Sequence, residues 1–266
     1  MIPARRMALF AALLLALVLW LRPIVGRIDN SVEATPRVAS TGSVEPLDAV
    51  AVAIFEETNA QRRRAGLPVL MVESRLAEIA TAHSGDMLAR GFFDHVSPDG
   101  VAPADRVATG HRTMVGTSGE NLWTGSGLFV DDAEALARLI VDSWMGSQGH
   151  RENILRREFS HLGVGVAKAG DEIRATQVFG RVWGYLEEDL PARVALGHTL
   201  TVRVEPFAGR AATKIDFFSE GRPLLGPWPL ERLVVDAPRG TYRTRFYFPT
   251  ATGYTIAYGP DVEVVP

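Results

Sequence analysis

The chain has 266 residues, with 28 Lys plus Arg against 31 Asp plus Glu, a formal net charge of −3 and no cysteine. Its near balance, at a pI of about 6.1, lacks the basic footprint that nucleic-acid binding requires. The absence of cysteine excludes disulfides, thiolate catalysis and cysteine-held zinc or iron–sulfur centres, so any metal must rest on His, Asp or Glu.

Arg5 and Arg6 precede an uncharged apolar run, Met7–Leu21, which is followed by Arg22 and Pro23. That is the layout of an export signal. As a helix the run spans roughly 22 Å against a bilayer core of about 30 Å. Ile24 and Val25 extend the apolar length, with Arg22 snorkelling toward the headgroups. No A-x-A site follows the run. The first reading of residues 1–25 is therefore an uncleaved signal anchor, the second a cleaved signal peptide, and either sends the remainder across the membrane. Residues 26–46, dominated by Ser, Thr, Pro, Gly and single charges, show no helical or strand period and read as a flexible linker.

Periodicity begins near Leu47. Leu47, Val50, Ile54 and Thr58 share one helical face that ends at Arg62, Arg63, Arg64 and Gly66, where basic side chains offset the helix dipole. A second helix is expected from Ser74 to Ala89, with Leu76, Ala80, His83 and Met87 on its core stripe. On that stripe His83 reads first as a hydrogen-bonded core residue and second as support for a site. Phe92 and Phe93 should then bury and pin an irregular segment, Asp94–Gly100, whose Pro-Asp-Gly is a turn signal and which carries His95. The glycines at 110, 116 and 119 suggest a long loop before a short extended piece, Glu120–Trp123. Asp131 or Asp132 caps a third helix whose face carries Ala133, Leu136, Ile140, Trp144 and Ser147. After His150 the pattern turns to strands: Leu162, Val164 and Val166 alternate with glycine, and Ile173–Phe179 returns as a hairpin. Past Pro191, alternating segments separated by Gly and Pro turns suggest a small immunoglobulin-like β-sandwich.

Taken in order, the fragments N-x-x-R-x-x-x-G-L (Asn59, Arg62, Gly66, Leu67), HSGDM from His83, FFDHVSPDG from Phe92, GEN from Gly119, W-x-x-S-x-G-H-R-x-N-I-L from Trp144, HLGVGV from His161 and TQVF from Thr176 resemble the bacterial branch of the CAP superfamily. That superfamily comprises cysteine-rich secretory proteins, antigen 5 and pathogenesis-related proteins, and the resemblance covers about residues 47 to 185. It implies an α+β fold built as an α/β/α sandwich, an extracytoplasmic location, and a groove in which two histidines and two acidic residues can hold a divalent cation. Carried over, these positions fall on His95, Glu120 and His150, while Ser147 stands where the second acid is expected.

The domain expectation is then a signal segment at 1–25, a linker at 26–46, a CAP-like domain at 47–188 and a β-module at 191–266. Zinc or another divalent cation on His95, His150 and Glu120 is one expectation for the groove, since two imidazoles and a carboxylate leave a fourth zinc position for water. A buried hydrogen-bond network without chemistry is the other. Ser147, His83 and Asn121 are placed around the groove, with Asn121 and Asn153 read as backbone clamps. His111, His161 and His198 have no recognisable partner, and Trp123, Trp144 and Trp183 read as core. Function divides between a tethered protein that binds a small ligand or cell-envelope component (lipid, glycan or peptide) and a metal-assisted hydrolase of envelope substrates.

Overall fold

A computed structural model describes residues 43–128, 131–222 and 225–266; the signal segment and residues 26–42 of the expected linker lie outside them. All described residues belong to one unit, Val38–Pro266. In chain order its elements are β1 (Glu45–Pro46), α1 (Asp48–Arg64), β2 (Met71–Val72), α2 (Ser74–Ala89), α3 (Pro103–Gly110), β3 (Met114–Ser126), α4 (Ala133–Gly146), α5 (Gln148–Ile154), β4 (His161–Ala169) and β5 (Glu172–Leu186). There follow β6 (Arg193–Ala195), β7 (Thr199–Leu200), β8 (Val204–Pro206), β9 (Lys214–Phe218), β10 (Leu225–Pro229), β11 (Leu233–Val234), β12 (Gly240–Thr250) and β13 (Gly253–Val265). Among the described residues, no helix is long and apolar enough to cross a membrane.

The sheet is layered by the pattern of β4. Leu162, Val164 and Val166 point to one face, where they pack with Val50 and Ile54 of α1 and with Ile140 and Trp144 of α4. Gly163 and Gly165 point to the other. A Cβ at Gly163 would lie 2.1 Å from the backbone nitrogen of Ala77, and one at Gly165 2.0 Å from that of Thr81. The α2 backbone thus rests directly on the strand, at a distance only glycine permits. Helices on both faces of one sheet give the α/β/α arrangement of a CAP-like α+β fold. β4 and β5 form the expected hairpin, with Ala169 opposite Glu172 across Gly170 and Asp171.

Four sequence expectations need correction. Glycines 110, 116 and 119 do not mark a loop. The run from Met114 is a thirteen-residue strand, because every residue from Met114 to Ser126 finds a partner on β5, between Tyr185 and Glu172. His150 does not directly precede strands but sits on the short helix α5. Phe93 is 44% exposed rather than buried, with Arg174 against its ring. Arg62, in the basic run that ends α1, does more than offset the helix dipole. It is fully buried and its guanidinium donates to the carbonyls of Pro68, Ile154, Arg156 and Phe159 at 2.8, 2.8, 2.9 and 3.4 Å.

Beyond Pro191, β13, β12, β9 and β10 continue the same sheet from β3, in that order, while β7 and β11 pair with each other apart from it. Their apolar cluster includes Ile215, Phe217, Phe246 and Phe248, and it also takes in Val115, Trp183 and Leu186 from β3 and β5. Apolar side chains at one end of β3 and β5 are thus covered by the C-terminal strands. Glu45–Pro46, read as the end of the linker, adds an edge strand on β4 opposite Ala167 and Lys168.

Candidate functional site

Glu120 lies in the middle of β3, with a side chain only 2% exposed. A buried carboxylate needs compensating partners, and it has two. Oε1 accepts from His95 Nδ1 at 2.8 Å and Oε2 from Arg106 Nη2 at 2.8 Å. The same guanidinium donates to the backbone oxygens of His95 at 2.8 Å and Val101 at 3.0 Å. Arg106, on α3, therefore fastens the His95 loop to the carboxylate. It was not foreseen as a site residue. The available signal was the need of a buried Glu for a cation, which points to no particular arginine.

His95 is about half exposed (48%). Its Nδ1 is committed to Glu120, so Nε2 is left for a ligand. The Glu120 hydrogen bond raises its pKa above the ordinary value; burial works against this, and the charges of Glu120 and Asp94 outweigh that of Arg106. His150 is shifted the other way, lowered first by burial and then by the charge of His95. The two imidazoles are thus shifted in opposite directions.

His83 is buried, as its place on the α2 stripe predicts. Its Nε2 lies 3.1 Å from Asp94 O, an acceptor, so this nitrogen carries the proton and Nδ1 is left without a hydrogen-bond partner. Glu120 Oε1 is 4.0 Å away. Burial lowers the His83 pKa, although the Glu120 charge opposes the shift. The neutral ring supports the His95 loop through Asp94.

Asn121, the neighbour of Glu120 on β3, points to the opposite face of the strand. Its Nδ2 donates to His150 O at 3.1 Å and to Gln177 Oε1 at 3.0 Å, and its Oδ1 accepts from Asn153 Nδ2 at 3.0 Å. Asn153 also donates to Glu120 O at 3.2 Å. Gln177 is held in turn through Thr58 at 2.7 Å. These clamps tie α5, and with it His150, to the strand that carries Glu120. Ser147 links α4 to α5 in extended conformation and its side chain makes no capping hydrogen bond.

Of the other histidines, His111 and His161 are buried against Tyr185, at 5.8 and 6.1 Å between ring centres, and, contrary to expectation, both have polar partners: His111 Nε2 lies 3.2 Å from Glu73 Oε2 and His161 Nδ1 2.9 Å from Ser160 Oγ; His198 is exposed. Trp144 and Trp183 are core, while Trp123 is only partly buried against it.

The arrangement does not make Glu120 a free metal ligand. Both its oxygens are engaged, and a guanidinium stands 2.8 Å from one of them. Among the described residues, no three His, Asp or Glu side chains form a cluster fit to hold a metal ion. The chemistry present is a half-exposed imidazole edge, that of His95, held by a carboxylate whose charge is already balanced.

Residues 55–179 match the model of the cysteine-rich secretory protein family, CAP. The uncharacterized protein YkwD of Bacillus subtilis (strain 168) is 34% identical over 147 residues, 53% of this chain and 54% of its own length. The uncharacterized membrane protein YlbC of the same organism is 35% identical over 130 residues, 49% of this chain and 34% of its own. An extracellular protein containing a SCP domain from Bacillus anthracis str. Ames shares 32% identity, with 50% of this chain and 41% of that one covered and a TM-score of 0.42. The chain thus spans about half or less of the length of these relatives. With its sheet, its helices and the ordered motifs from Asn59 to Phe179, it belongs to the CAP superfamily through the domain at residues 55–179.

Proposed function

We propose that this is an exported, membrane-tethered protein whose CAP groove binds a ligand through an anionic acceptor group, the carboxylate or phosphate that lipids, glycans and peptides of the cell envelope carry. The observation that supports this most is His95, half exposed, whose Nδ1 is held by Glu120 at 2.8 Å so that Nε2 is left for a ligand, beside a carboxylate already balanced by Arg106. The charges of Glu120 and Arg106 cancel and that of Asp94 answers protonated His95, so recognition rests on the directed donor rather than on net charge. The Nε2–H of His95 donates to an anionic oxygen, and neutral His150 adds a second polar contact. Export and tethering rest on the basic flank and apolar run of residues 1–25, and YlbC, a relative, is described as a membrane protein. The C-terminal strands, which extend the sheet and share a core with β3 and β5, offer a further surface for docking to an envelope partner.

A second reading has one observation in its favour. A histidine that donates Nδ1–H to a carboxylate is the arrangement that orients metal-ligating imidazoles. In that case His95 Nε2 and His150 would hold a divalent cation, Glu120 would orient His95, and the cation would supply an activated water for hydrolysis.

Ring-proton NMR of the full chain, titrated with inorganic phosphate and separately with zinc chloride, tests both readings. Saturable phosphate shifts at His95 and His150, weakening as pH rises through the His95 pKa, support the first. Stoichiometric zinc binding lost in both His95→Ala and His150→Ala supports the second. A response to neither probe overturns both.

A further inference from the structure

On β9, β12 and β13 one face is core and the other meets solvent. Ile215, Phe217, Phe246, Phe248 and Ala257 turn inward, while Phe218, Tyr254, Ile256 and Tyr258, on the opposite face, are each more than a third exposed. Rings exposed together on one face mark a contact surface, unlike scattered apolar residues. A pocket of about 300 Å³ lies on this face, at the lower end of the range for small-ligand sites. Phe218 and Tyr258 are among its walls, and Glu220, Thr241, Arg243 and Asp261 supply polar groups. Its shape comes from a bulge. Arg243 stands opposite Asp261 and Arg245 opposite Tyr258, so Gly259 and Pro260 of β13 both face Thr244. Buried Thr244 fixes the bulge by donating to Pro260 O at 2.8 Å. In a regular strand Tyr258 and Asp261, three positions apart, would point to opposite faces; the bulge turns both to the pocket, the re-aiming that bulges perform beside sites.

We propose that this pocket binds a pyranose unit of an oligosaccharide. The proposal rests on the C-terminal strands as the envelope-docking surface and names their partner; it is independent of the His95 groove. A pyranose presents a flat C–H face and a rim of hydroxyls, the first matched by an aromatic ring and the second by neighbouring donors and acceptors. Both are in place. Arg245, held by Asp216 at 2.9 and 2.7 Å, backs the Phe218 ring with its guanidinium 4.5 Å from the ring centre, so this wall is fixed. Arg243 gives Nε and Nη2 to Asp261, and Nη2 also to Asp105 at 2.8 Å. That orients the guanidinium and leaves Nη1 without a partner among the described residues. Arg112 donates to Asp261 O at 3.1 Å and anchors the same end of the bulge. Glu220 is exposed and forms no ion pair among the described residues, so its carboxylate is open to accept while Arg243 Nη1 and the Thr241 hydroxyl are open to donate. Acids and bases lie side by side here, Glu220, Asp105 and Asp261 with Arg243 and Arg112, so the lining offers directed hydrogen bonds rather than a field of one sign. An inorganic anion would leave the rings bare, and a hydrocarbon would leave the polar rim unpaired. A sugar uses both.

The test is saturation-transfer NMR on the full chain in a sugar-free detergent, with cellotetraose and N-acetylchitotetraose as probes and sorbitol as a polyol that has no ring face. At least one oligosaccharide should show saturable transfer, strongest at the C–H protons of its ring faces, and sorbitol should show none at the same concentration. Phe218→Ala and Tyr258→Ala, both at exposed positions, should each weaken binding about fivefold, the weight of one ring contact. Thr241→Trp, also exposed, should abolish binding by filling the pocket. Circular dichroism checks that the variants fold, and Thr241→Trp decides if a ring variant does not. His95→Ala should leave binding unchanged, so that failure of the groove and failure of the pocket are told apart. No saturable transfer to either oligosaccharide, equal transfer to sorbitol, unchanged affinity in Thr241→Trp, or loss of binding in His95→Ala overturns the proposal. So does sedimentation showing that this face pairs two copies of the chain instead.

Discussion

Replacing Arg62 by methionine tests whether a buried guanidinium holds the helical layer together. The side chain is fully buried and donates to four carbonyls, three of which, those of Ile154, Arg156 and Phe159, lie on the segment joining α5 to β4. The bonds to Pro68 O and Arg156 O are only partly buried, so water can replace the donor there. Those to Ile154 O and Phe159 O are buried, and each acceptor left dry costs about 1–3 kcal/mol. Methionine recovers roughly 1–2 kcal/mol by burying an apolar chain where a desolvated cation stood. The expected net loss is about 1–4 kcal/mol, read as a fall in the urea midpoint at unchanged m-value. Arg62→Lys should also destabilise, because three ammonium donors cannot reproduce the planar fork. A methionine variant within about 0.5 kcal/mol of the parent would refute the assigned role.

Two further perturbations bear on the site and on its scaffold. Glu120→Gln should lower the His95 pKa, since burial and the Arg106 charge remain and both disfavour the imidazolium; an unchanged NMR titration of His95 would contradict the pairing. The sign for stability follows. Because folding raises the His95 pKa, the pair's contribution is fully present below the unfolded value of about 6.5 and is lost as pH rises through the higher folded value. In Glu120→Gln that pH dependence should flatten. Gly165→Ala forces a methyl group into the α2 backbone, 2.0 Å from Thr81 N. It should cost roughly 3 kcal/mol and lower Tm by about 6–12 °C, and a melt within experimental error of the parent would show that α2 does not rest on β4 as described.

Much of the helical frame is legible locally. The stripe of Leu76, Ala80, His83 and Met87 and its flanks specify α2, Asp132 caps α4 by accepting from Ala135 N at 2.8 Å, and Gly170-Asp171 marks the hairpin. Each depends on residues within one or two turns. β3 was not legible, because its glycines look like a loop until β5, some fifty residues on, supplies the hydrogen bonds.

What the sequence by itself determined is the ordered set of CAP motifs, the two histidines and the glutamate of the groove, and the serine where a second acid would stand. Only the tertiary structure decided what that glutamate does. Its pairing with Arg106 and the seating of His150 by Asn121 join residues 14 and 29 positions apart. The buried guanidinium of Arg62 reaches carbonyls more than 90 residues away, and the pairing of β9 and β13 with β12 sets Phe218 and Tyr258, 40 positions apart, on one pocket. Local periodicity specifies which face of a helix or strand is buried. Which charges meet on that face depends on how the elements pack.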